Sequence, residues 1–149
     1  MTFRRLALVL ALGLAGALAT ASILSSAPVR GPFFAALTGA KEPGGGDSNG
    51  KGSFSATIQG QRLCYGITVG NIGRPNAAHI HRGRAGVAGP VVITLKHPTT
   101  GSPGASAACV TVGATLRGQI RANPSGFYVN VHNIAFPGGA VRGQLFIRG

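Results

Sequence analysis

RLCYGITV, Arg62–Val69, sets Leu63, Tyr65, Ile67 and Val69 on one side of an extended chain and Cys64, Gly66 and Thr68 on the other. Successive side chains of a strand point to opposite faces, so this period of two marks a strand with one buried face. The pattern returns along the chain. Phe54, Ala56 and Ile58 share a face in GSFSATI, as do Val91, Ile93 and Leu95, then Phe127, Val129 and Val131, and finally Val141, Gly143, Leu145 and Ile147. FFAALTG at Phe33–Gly39, the HIH segment and TLRGQI bring the count to about eight short strands. Gly/Pro-rich breakers separate them: EPGGGDSNG, GRPN, HPTTGSPG, ANPSG and FPGG. No window after the leader sustains a helical period. The expected fold is all-β, a single antiparallel β-sandwich of Greek-key-like type.

The first residues read differently. MTFRRLALVLALGLAGALATAS carries Arg4 and Arg5, an apolar run from Leu6 to Ala19, and small residues before a cut after Ala21. That is the layout of a signal peptide, and the run is shorter than the roughly 20 residues of a spanning helix. The expected organisation is therefore a signal peptide at 1–21, a short segment at 22–32 and a β domain at 33–149. Retention of the leader as an anchor is the alternative. The expected setting is secreted, periplasmic or cell-envelope, and an oxidising compartment favours pairing the only two cysteines, Cys64 and Cys109.

Lys and Arg number 14 against two acids, a net charge of +12, or +10 once Arg4 and Arg5 are removed. Such a field favours anionic partners, and envelope or surface polymers are the candidates. The basic residues are scattered singly, without a run, which together with export argues against nucleic acid.

The acids are Glu42 and Asp47, both in a glycine-rich loop expected to hold them loosely. Glycoside hydrolysis needs two carboxyl groups fixed about 5–10 Å apart, so that chemistry is excluded. GDSNG, Gly46–Gly50, spells G-x-S-x-G, but a nucleophile elbow needs a strand before and a helix after, and neither is expected. No P-loop spacing occurs, and the domain is expected to be non-catalytic.

The histidines carry the remaining chemistry. In AAHIHRGRAGVAGPVV, Ala77–Val92, His79 and His81 project from one strand face with Ile80 on the other. In YVNVHN, Tyr128, Asn130 and His132 share the face opposite Val129 and Val131. If the two strands lie close, three imidazoles converge, a donor set that suits copper or zinc. The alternative is that all three serve architecture through hydrogen bonds. His97, beside Pro98, reads as a solvated loop residue. No other cofactor is implied.

AAHIHRGRAGVAGPVV together with YVNVHNIAFPGGAVRGQL resembles the CHRD domain, a module named from the extracellular protein chordin and found also in exported bacterial proteins. FFAALTGAKEP followed by GKGSFSATI resembles that family's opening strand, acidic-proline turn and second strand. The likeness runs from Phe33 to Gly149. It implies a β fold, an extracellular setting and a binding or structural module of undetermined partner. It also singles out His79, His81, Gly83, Gly89, Pro90, His132, Gly139, Arg142 and Gly143. The histidine pattern is similar at fold level to the copper ligands of copper-zinc superoxide dismutases, though the zinc ligands have no counterpart. That similarity implies the alternative of a three-histidine copper protein, for copper handling or superoxide chemistry. Arg142 shares its face with Gln144 and Phe146; its planar fork could take an anion or brace a neighbouring loop through backbone carbonyls.

Overall fold

A computed structural model describes residues 31–148. The expected signal peptide, and the segment after it as far as residue 30, lie outside the described residues. Nine strands form one antiparallel sheet: β1 (Phe33–Thr38), β2 (Lys51–Gln59), β3 (Arg62–Gly70), β4 (Pro75–Arg82), β5 (Val91–Leu95), β6 (Gly104–Thr111), β7 (Phe127–Asn133), β8 (Val141–Gln144) and β9 (Phe146–Ile147). Their spatial order is β5-β4-β7-β8-β1-β2-β3-β6, with β9 also paired to β1. The sheet curls until it is nearly closed. Lys96, just past β5, spans the gap between the edge strands: its N–H donates to the Tyr65 hydroxyl (2.6 Å) and its carbonyl accepts from Ser106 Oγ (2.7 Å).

The alternating residues fill the inside. Leu63, Tyr65, Ile67 and Val69 are buried along β3, in one core with Phe33, Ala35 and Leu37 of β1 and Phe127, Val129 and Val131 of β7. Fully burying such side chains contributes roughly 1.5–3 kcal/mol each, which makes the period-two pattern the main determinant of register. Cys64 and Cys109 face each other across β3 and β6 and form the expected disulfide, outside the core and tying an edge strand to its neighbour.

Three expectations need correction. TLRGQI is not a strand: Ala114–Ala122 is an α-helix, α1. Leu116 and Ile120, one turn apart, face the core, and Ile120 is fully buried. Arg117 and Arg121 donate to the carbonyls of Val112 and Ile58. Two turns with one such apolar pair are too short to show a sustained period. The strand unseen in the sequence is GASAACVT, β6. Its half-buried positions are Ser106, Ala108 and Val110 and its exposed ones Ala105, Ala107, Cys109 and Thr111, so the two faces differ little in polarity. Val91 leaves the face of Ile93 and Leu95: the β4–β5 register shifts between Ile80 and His81, so Val91 pairs with His81 and is 48% exposed.

Candidate functional site: a three-histidine cluster

β4 and β7 are adjacent and antiparallel, as convergence of the histidines requires. Along their register His81 lies opposite Tyr128, His79 opposite Asn130 and Ala77 opposite His132. His132 is thus the diagonal neighbour of His79 on the outward face, within reach of long side chains. Ala78 and Ile80 are fully buried on the other face. One ring nitrogen from each of His79, His81 and His132 lies within 4.8 Å of the other two. His97, bonded to the Pro98 carbonyl, is not among them.

Hydrogen bonds fix how each ring presents itself. A carbonyl only accepts, so His81 Nδ1–H donates to Gly89 O (2.9 Å) and His132 Nδ1–H donates to Pro137 O (2.9 Å). In the neutral form each of these rings is left with a bare Nε2. The Nε2 of His132 accepts from His79 Nδ1 (3.1 Å). The Nε2 of His81 is buried and has no hydrogen-bond partner among the described residues. Burial, as the largest cause, pushes all three below the ordinary histidine pKa, and His79 and His81 are lowered further by neighbouring rings. Arg142 adds to the lowering of His81. Neutral imidazoles oriented by backbone carbonyls are the form that ligates metal.

The surrounding positions build the frame. Tyr128 stacks on His81, and its hydroxyl accepts from the Gly89 N–H (3.1 Å). Gly89 passes so close to the Arg82 carbonyl that a Cβ there would collide with it. Pro90 follows, its carbonyl accepting from Arg82 N (3.0 Å). Gly83 packs against the Tyr128 ring, and Gly143 lies against the Ala36 carbonyl. Gly139, at φ 143°, occupies backbone space open to glycine, and a side chain there would run into Asn130 and Glu42. Arg142 is buried, its guanidinium 3.3 Å from the Tyr128 ring centre. It donates to the carbonyls of Arg84 and Val87 (both 2.9 Å), so it braces the β4–β5 loop.

Glu42 corrects another expectation. The glycine-rich loop holds it firmly: the residue is 9% exposed and its carboxyl accepts from Asn130 Nδ2 at 2.6 Å. Burial pushes the carboxyl up to about 7, against a smaller opposing pull from Arg142. Asn130 thus links the acidic turn to the strand position between His79 and Arg142. The sequence signal is Glu42 itself, one of two acids in the chain and directly before Pro43. Ser48 is exposed in the turn before β2, with no helix after it.

No curated protein and no solved structure matches this chain. The CHRD domain family matches residues 33–145, from the first residue of β1 to the buried Leu145. That span contains all three histidines, the carbonyls that orient them and the Arg142 brace. The chain belongs to the CHRD domain family.

Proposed function

We propose that this CHRD domain is an exported metal-binding module whose His79, His81 and His132 hold a copper ion. The family supports a binding or structural module. The observation that carries the metal reading is His81 Nε2, a buried nitrogen without a partner among the described residues, beside the His79–His132 pair. A purely architectural histidine would spend that atom on a hydrogen bond, because an unsatisfied buried polar group costs about 1–3 kcal/mol. Two nitrogens each about 2.0–2.1 Å from one ion lie about 2.9 Å apart in a square-planar and about 3.3 Å apart in a tetrahedral arrangement, and the 3.1 Å between His79 and His132 falls between the two. His79 need only move its proton to Nε2 to offer Nδ1. An all-nitrogen set binds Cu(II) more tightly than Zn(II). Copper handling is the role this supports; superoxide chemistry would need an assay on the loaded protein.

The test is calorimetric titration of the purified protein with Cu(II) and Zn(II), beside a His79→Ala/His81→Ala variant shown to be folded by circular dichroism. One-to-one binding, tighter for copper and lost in the variant, is expected. No binding to folded wild type would return the histidines to architecture.

A further inference from the structure

The Glu42–Pro43 turn and the far side of Arg142 are not used by the histidine cluster, and both border a cleft of about 530 Å³. Ala36 of β1 and Leu145 line it. Its walls are Ala40, Pro43 and the loop tip at Ala85, and exposed Phe146 stands at its edge. Small side chains at these positions leave room that larger ones would fill, and volumes of roughly 300–1,000 Å³ suit small organic ligands. The lining is mostly apolar, but its charged groups are unevenly matched. Lys41, also in the lining, donates to the Ala36 carbonyl (2.7 Å), leaving two ammonium hydrogens free of that bond. Arg142 lies behind, and Arg148 sits over Phe34, whose ring packs 5.9 Å from Phe146. The one acid of the lining, Glu42, has an oxygen turned to Asn130, and burial lifts it to about 7.

We propose that this cleft binds a small anionic amphiphile, a single-chain carboxylate or sulfonate whose apolar body lies between Ala36 and Phe146 and whose head group meets Lys41. The apolar walls supply the attraction for the body, and each methylene taken from water strengthens binding about fourfold. The cationic rim, on a chain carrying 14 basic residues against two acids, selects the sign of the head group. The site is separate from the histidines and does not depend on metal.

The test is calorimetry with octanoate, octanol and acetate, with a chelator present so that metal plays no part. Octanoate is expected to bind one-to-one, octanol about tenfold or more weaker, and acetate not at all. Ala36→Phe, at an exposed strand position in the lining, is expected to fill the cleft and abolish binding without unfolding the protein. Lys41→Gln, on an exposed side chain, is expected to reduce octanoate to the affinity of octanol. Equal binding of octanol and octanoate, binding of acetate as tight as octanoate, or octanoate binding unchanged in both variants would each overturn the proposal.

Discussion

The rings of His81 and Tyr128 are parallel to within 6°, with centroids 4.7 Å apart. The pair is closed through Gly89, whose N–H is held by the Tyr128 hydroxyl and whose carbonyl is held by His81. Position, tilt and tautomer of His81 are thus set by a loop and a strand together. Tyr128→Phe keeps the stack and removes the hydroxyl, leaving the Gly89 N–H without its acceptor. We expect a loss of about 1 kcal/mol in denaturant unfolding. Because partners that orient a ligand tune metal affinity, copper binding should fall about tenfold or more by calorimetry. Unchanged affinity would mean that the loop does not position His81.

Metal should also stabilise the fold. A ligand that binds only the native state contributes about 2.7 kcal/mol at one hundred times its dissociation constant. Copper at that excess should therefore raise the melting temperature of wild type and leave His132→Ala where it was. A rise of equal size in the variant would place the metal elsewhere.

Much of this arrangement is legible in the sequence, because period-two burial is a strong physical signal. It places His79 and His81 on the outer face through Ile80, and His132 through Val129 and Val131. The adjacency of β4 and β7 is not legible. β5, β6 and α1 lie between them along the chain, and alternation says nothing about which strands pair. α1 escapes detection because Leu116 and Ile120 are its only core contacts. Glu42 misleads for a different reason. A glycine-rich sequence suggests freedom, whereas here Gly39 and Gly46 pack against backbone and bring the turn down onto Asn130.

Glu42 gives a pH dependence whose sign can be worked out. Its carboxyl sits at about 7 in the folded protein against an ordinary 4.5. Between those values the native state binds the proton that the unfolded chain has lost, so this group's contribution to stability falls as pH rises through the window. The three histidines act oppositely: with native values below 6.5, they cost stability as pH falls below that value. Glu42→Gln removes only the first effect. Its stability relative to wild type should grow by about 1–3 kcal/mol from pH 4.5 to pH 7.5 in urea titrations. A flat difference would mean that the carboxyl is not desolvated.

Arg142 is the largest fully buried side chain among the described residues, and what it holds is backbone. Its guanidinium lies over Tyr128 and donates to two carbonyls of the β4–β5 loop, the loop whose Gly89 orients His81. Arg142→Met preserves length and apolar packing but leaves the Val87 carbonyl without this donor and the Arg84 carbonyl with the Val87 N–H alone. A hydrogen bond to a charged group contributes about 1.5–3 kcal/mol, and removing a desolvated cation returns part of that, so we expect a net loss of about 1–2 kcal/mol. Arg142→Lys keeps the charge and one donor nitrogen but loses the planar group that lies over Tyr128, so it should fall between. The loss should concentrate locally: amide hydrogen exchange at Gly83, Val87 and Gly89, the bonded amides of this loop, should accelerate more than in β2 and β3. Uniform acceleration across the sheet would assign Arg142 to the global fold, while localised acceleration with weaker copper binding would make it the residue that holds the loop over His81.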